Sequence, residues 1–149
     1  QGKKMISLND APQASDLLFV YGTLLSGLSN HHHMRGAACL GPATVQGALF
    51  SLGEYPALLV SGALSAPLGS VAGELYKIEA AHWAHLDALE EVDPHSVENS
   101  MYLRQTVAVQ WQQGQTLQWV KAQVYVYNWS LEGRERIAHG DFRRHVSGA

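Results

Sequence analysis

With 149 residues, of which 46% are hydrophobic and 15% charged, the chain has one ordinary domain's length and enough apolar material for a sizeable core. Ten Lys and Arg against thirteen Asp and Glu leave a formal charge of −3 at pH 7, without the basic excess that gripping a phosphate backbone demands. A single cysteine, Cys39, excludes an internal disulfide and a multi-cysteine zinc or iron–sulfur site, and no apolar run approaches the roughly 20 residues that cross a bilayer. The expectation is a soluble, reduced, cytoplasmic protein with no nucleic-acid or membrane partner.

Residues 1–16 are polar and aperiodic and read as a tail, with the four residues before Met5 a remnant ahead of the natural start; residues 17–149 read as a single domain. Leu17–Tyr21 is an apolar run closed by Gly22, as expected of a buried strand. Gly22–Arg35 is a Gly-, Ser-, Asn- and His-rich loop with room for a helical turn. Ala43–Leu52 has strand character interrupted by Gly47. Gly53, Pro56, Gly62, Pro67 and Gly69 punctuate the middle around a short strand at Ala57–Val60. Ser70–Ile78 is a further strand, and Glu79–Glu91 (EAAHWAHLDALEE) the one clear helix. After the turn-forming Val92–Ser100, strands at Tyr102–Gln112 and Gln115–Tyr127 flank Gln113-Gly114, an antiparallel hairpin pattern. Arg134–His145 predicts one short helix or turn. Five or six strands, frequent turns and no βαβ alternation predict an α+β fold, a small mixed, mostly antiparallel β-barrel with flanking helices.

Helix phase singles out one carboxylate. At about 100° per residue, His82, Trp83, Leu86 and Leu89 share a face, and Glu90 falls between Leu86 and Trp83 on it. Asp87 lies at the edge of that stripe, and Glu91 projects roughly 140° away, toward solvent. A carboxylate among Trp and Leu side chains is desolvated, which raises its pKa toward the value a general base needs near pH 7. The plainer alternative is a helix-end Glu that reaches water or pairs with Arg104.

The first strand runs into Tyr21-Gly22-Thr23-Leu24. A glycine there lets the chain turn and lets a ligand approach the backbone, whose N–H groups can converge on a carboxylate or oxyanion. This loop resembles the signature loop of the gamma-glutamyl cyclotransferase-like family. Further matching segments follow in the family's order: Gly47-Ala48-Leu49-Phe50, Tyr55-Pro56-Ala57-Leu58, Gly73-Glu74-Leu75-Tyr76, Leu86–Glu90 with Asp93-Pro94, Tyr102-Leu103-Arg104, Val124–Tyr127 and Gly140-Asp141-Phe142-Arg143. The resemblance covers about Leu17 to Arg143. It implies a small barrel with a cavity at one side, and release of 5-oxoproline from a small γ-glutamyl amine or amino acid through attack of the substrate's own α-amine, without metal, nucleotide or other cofactor. It places the catalytic glutamate on Glu90 and substrate-binding positions on Tyr21, Gly22, Thr23 and Leu24, with Tyr55 and Tyr127 near the substrate. Many members carry glycine where this chain has Glu91. A monomer or weak homodimer is expected. The rival reading is a non-catalytic small-molecule or peptide-binding module on the same fold.

Several residues carry smaller expectations. His31-His32-His33 suits adventitious metal binding or the substrate entrance better than a designed metal site. Cys39 reads as a small buried hydrophobe, and Trp111 and Trp119 as hairpin packing. Arg104 and the Gly140–Arg143 segment read as structural, with an Asp–Arg pair tying the C-terminal turn to the sheet. Tyr125 and Tyr127 share one strand face opposite Val124 and Val126.

Overall fold

A computed structural model describes residues 16–60 and 68–148; the expected tail (residues 1–15) and the turn residues Gly62 and Pro67 lie outside the described residues. The elements in order are β1 (Leu17–Val20), a 3-10 turn (His31–Met34), β2 (Ala38–Ser51), β3 (Pro56–Leu59), β4 (Gly69–Lys77), α1 (Ala80–Leu89), β5 (Tyr102–Gln113), β6 (Thr116–Tyr127) and α2 (Phe142–Ser147). The strands run β3-β2-β4-β1-β6-β5, and pairing of Ala43 with Trp111 and Thr44 with Gln110 brings β2 against β5. Five strands thereby close into a barrel, with β3 as a sixth strand on the far half of β2. β1 runs parallel to β6 and every other pairing is antiparallel.

The continuous apolar run of β1 reflects burial on both of its faces. Leu17 and Phe19, with Tyr21 beyond the strand, join a cluster that takes Val45 and Leu49 from β2, Val71 and Leu75 from β4, Val109 from β5 and Val124 and Val126 from β6, the interior of the barrel. Leu18 and Val20 point the other way, into a second cluster with Leu24, Leu25, Met34, Tyr76, Leu86, Tyr125 and Tyr127 beneath α1 and the loop after β1. The alternation Val124, Tyr125, Val126, Tyr127 therefore splits across the wall, valines inward and tyrosines toward α1.

Boundaries depart from the sequence expectation where tertiary contacts intervene. β2 begins at Ala38 rather than Ala43, because a bulge between Cys39 and Gly41 lets the chain pass Gly41 and keep its register with β4. α1 stops at Leu89, two residues short. The C-terminal helix starts late, at Phe142, where Asp141 caps it by accepting the Arg144 N–H at 3.2 Å. The hairpin turns at Gly114-Gln115, one residue past the expected junction, with Gly114 at φ 60. Cys39 is exposed rather than buried: it lies opposite Tyr76 at the outer end of β2, ahead of the bulge. Trp111 is half-buried and donates its indole N–H to Leu40 O at 2.9 Å, whereas Trp119 is 62% exposed because the hairpin overruns the β2–β5 closure. Arg143 ties the C-terminal segment to the sheet, but through Glu74 (3.2 Å) and not through Asp141. Arg104 pairs with Asp87 at 3.6 Å and lies 4.2 Å from the centroid of the Trp83 ring. No helix among the described residues is long and apolar enough to cross a membrane.

Gly73 is where β4 packs closest on β1. A Cβ there would fall on the Val20 carbonyl oxygen and within 2.5 Å of Phe19 Cζ, neither of which can move without disturbing the central strand. Gly73→Ala is expected to destabilise the protein by about 3 kcal/mol. Urea denaturation monitored by tryptophan fluorescence checks this.

Candidate active site

At the end of the barrel where β1 and β6 finish and β5 begins, a pocket of about 210 Å³ opens beside the C-terminus of α1. Five of the predicted binding positions, Tyr21, Gly22, Thr23, Leu24 and Tyr55, line it together with Glu90. Tyr127 does not: it is buried behind the wall, with its ring edge-on to Tyr102 at 5.4 Å between centroids. Its strand neighbour Tyr125 takes the lining position instead. Pro56, next to Tyr55 in the matching segment, also lines the pocket, and Asn30, Met101 and Tyr102 complete surfaces that sequence reasoning did not single out. The two-residue period places Tyr125 and Tyr127 on one face; only the position of α1 decides which of them meets the pocket.

The loop after β1 is built to hold its shape. Leu25 N–H donates to Gly22 O (2.9 Å) and Asn30 N–H to Thr23 O (2.9 Å), while the Asn30 amide nitrogen donates to Thr23 Oγ1 (2.9 Å). Gly22 passes so close to Pro56 that a Cβ would lie 2.7 Å from its Cγ. Farther along, the Ser26 N–H and hydroxyl both donate to the Glu74 carboxylate (3.0 and 2.7 Å), joined by Tyr76 OH (2.9 Å) and Arg143 (3.2 Å). Burial works to raise the Glu74 pKa, but these bonds outweigh it and hold the carboxyl below its usual range. His31 Nδ1 bonds the Leu24 carbonyl (2.9 Å), so the histidine turn backs the loop rather than lining the pocket. His33 Nδ1 and His85 Nε2, 2.7 Å apart, share a hydrogen bond that ties the same turn to α1. Among the described residues, no group of three or more His, Cys, Asp or Glu side chains is arranged to hold a metal.

Glu90 reaches the pocket because the helix ends under it. It stands at the C-cap, φ −86 and ψ 7, with its N–H still bonded to Leu86 O at 2.9 Å as in a continuing helix. Leu86, fully buried, anchors the last turn. Glu91 follows at φ 57, the left-handed conformation with which helices commonly terminate on glycine; a side chain there costs about 1 kcal/mol. Burial first, and then the neighbouring Glu91 charge, push the Glu90 carboxyl up to about 7. The negative end of the α1 dipole acts in the same direction. Burial followed by the Glu90 charge also raises the Tyr102 hydroxyl.

The three buried tyrosines around Glu90 have their hydroxyl protons committed: Tyr21 to Tyr125 O (2.5 Å), Tyr102 to Pro56 O (2.7 Å) and Tyr125 to Asp87 Oδ1 (2.5 Å). Their oxygens remain available only as acceptors. Among the described residues, no Lys, Arg or His lines the pocket. Donors for an anion can come from the Thr23 and Tyr55 hydroxyls and from the backbone of the β1 loop.

A closed five-stranded barrel, a backbone loop at its mouth and one desolvated carboxylate meet at this pocket, whose size suits a small molecule. The family model for "Gamma-glutamyl cyclotransferase, AIG2-like" matches residues 18–144, and the chain belongs to that family. It is 32% identical over 126 residues to the gamma-glutamylcyclotransferase family protein YtfP of Escherichia coli, covering 84% of this chain and 94% of that one. The gamma-L-glutamyl-butirosin B gamma-glutamyl cyclotransferase of Niallia circulans is 35% identical over 113 residues, 74% of this chain and 66% of its own. Among solved structures, the AIG2-like protein of Mus musculus superposes with a TM-score of 0.59 at 28% identity, over 78% of this chain and 80% of that one.

The Glu90 shift has a stability consequence. Its folded pKa, about 7, lies above the ordinary carboxyl value of 4.5, so the folded protein holds this proton more tightly. The contribution is present below pH 4.5 and is lost as pH rises through about 7. Glu90→Gln is therefore expected to gain about 2 kcal/mol on the wild type between pH 5 and pH 8, read from urea midpoints at the two pH values.

Proposed function

We propose that the protein is a gamma-glutamyl cyclotransferase that releases 5-oxoproline from a γ-glutamyl amine or amino acid, with Glu90 as general base and acid. The observation that carries this reading is a carboxylate with a pKa of about 7 on the wall of a small pocket that the Tyr21–Leu24 loop also lines. The substrate's α-ammonium, seated against Glu90, loses a proton to the carboxylate. The freed amine attacks the γ-carbonyl carbon and forms the ring N–C bond. The oxyanion of the tetrahedral adduct and the α-carboxylate take hydrogen bonds from N–H groups of the Tyr21–Leu24 loop. Glu90 then gives its proton to the leaving nitrogen as the C–N bond breaks, takes up the second proton of the ring nitrogen and passes it to the departing amine, giving 5-oxoproline and an ammonium. No water is consumed and no electron changes hands.

Because nucleophile and electrophile belong to one molecule, the protein chiefly has to hold the folded rotamer, and the small pocket suits that task. Tyr55 and Tyr125 are positioned to flank the bound γ-glutamyl group. The butirosin-directed relative supports the leaving group's being an amine other than that of a simple amino acid.

Glu90→Gln is expected to lower kcat for 5-oxoproline release by about a thousandfold or more while KM changes little, measured on a panel of γ-glutamyl compounds. Full turnover in that variant rules the assignment out. In the wild type, kcat/KM is expected to rise with pH through about 7 as Glu90 ionises. Glu91→Gln removes a like charge and is expected to move that midpoint downward, which a pH–rate profile reads directly.

A further inference from the structure

The cyclisation leaves one pocket carboxylate without a task. Glu91 lines the same cavity as Glu90, has an exposed side chain and stands in the left-handed backbone region at φ 57. Two backbone hydrogen bonds hold it there, Glu91 N–H to Ala88 O (3.1 Å) and Met101 N–H to Glu91 O (3.0 Å), so the turn and not a side-chain contact sets where the carboxylate projects. A glycine would end the helix with less strain and would spare the pocket a second negative charge beside Glu90. Among the described residues, no cation makes an ion pair with Glu91, and no cationic side chain lines the pocket. Arg104 is engaged elsewhere, by Asp87 at 3.6 Å and by the Trp83 ring at 4.2 Å. Glu91 is thus an exposed carboxylate on the pocket lining with no cationic partner among the described residues.

A γ-glutamyl amide bound with its α-amine against Glu90 sends the other substituent of its amide outward, past the pocket rim. We propose that Glu91 selects this leaving group by charge: the substrates are γ-glutamyl amides whose released amine carries a second, cationic group, and those whose released amine carries a carboxylate are rejected. The inference rests on the cyclotransferase reading above and narrows it. Attraction of the cation and repulsion of the anion act on the same rim group, so discrimination is greatest between the two charged extremes. A rim pair in water supports only a few-fold effect in each direction, and salt weakens it.

The test uses three amides of matched length, the γ-glutamyl derivatives of putrescine, pentylamine and δ-aminovalerate, which end in an ammonium, a methyl and a carboxylate. Wild-type kcat/KM for 5-oxoproline release is expected to fall in that order, about tenfold from first to last at low ionic strength, carried by KM and compressed in about 0.5 M salt. Glu91→Gln and Glu91→Gly are each expected to narrow the range to about twofold or less, and Glu91→Lys to reverse the order. Glycine suits the backbone at this position, so the Gly variant keeps the test valid if the others fold poorly. The ratio between substrates cancels any change in the reactivity of Glu90 itself. Turnover of all three at equal rates by the wild type, or an order that survives in both neutral variants, overturns the charge selection and leaves the cyclotransferase reading intact. No 5-oxoproline from any of the three overturns the cyclotransferase reading, and the inference with it.

Discussion

Burial of a four-residue strand on both faces is the constraint from which the rest of this structure follows. β1 sits between β4 and β6, with one face in the barrel interior and the other beneath α1, so it offers no polar side to solvent. β4 can approach it only because Gly73 has no side chain. A strand held this firmly delivers the following loop to one place, and the loop's own bonds, together with the Ser26–Glu74–Arg143 contacts, keep its backbone at the pocket mouth. Rigid elements position such donors better than a free loop does.

The second face of β1 also determines where α1 lies. Leu86 seats the helix on the same cluster as Leu18, Val20 and Tyr125, and the helix ends one turn later at the rim of the pocket. A carboxylate at that terminus meets desolvation, the negative end of the helix and the charge of Glu91 together, and all three favour the proton. With no cation from the described residues in the pocket to oppose them, the Glu90 carboxyl is pushed up to about 7. The histidines contribute from behind. His33 and His85 join the 3-10 turn to α1, and His82 accepts the Glu79 N–H (3.1 Å) while its other ring nitrogen bonds Arg35 O (2.9 Å). The triplet that stands out in the sequence therefore braces the two elements that carry the loop and the glutamate.

The approximate strand positions, the single long hairpin and the mixed, mostly antiparallel barrel were legible in the sequence, because they depend on local patterns: apolar runs, two-residue alternation and turn glycines. The resemblance to the family rested on short motifs in a fixed order, and four of them, Tyr21–Leu24, Tyr55-Pro56, Leu86–Glu90 and Tyr102–Arg104, contribute residues to the pocket. Other features were not legible. Helix phase singled out Glu90 but not that the helix ends there, with Glu91 at φ 57, against a pocket built by segments far away in the chain. Cys39 and Trp119 have core-like side chains, yet the first lies at an outer strand end and the second on a hairpin that outruns its neighbours. Nothing in their local sequence encodes strand lengths elsewhere in the sheet.

What the sequence determined by itself is which segments form strands, which glycines turn the chain and which carboxylate has apolar neighbours, since each follows from contacts within a few residues. The tertiary structure alone decided that Tyr125 and not Tyr127 lines the pocket, that Arg104 serves Asp87 and Trp83 rather than Glu90, that Arg143 reaches Glu74 across the fold, and that Glu91 stands strained and unpaired at the rim. Each of these depends on where barrel closure and helix docking place segments far apart in the chain, a geometry that no local pattern carries.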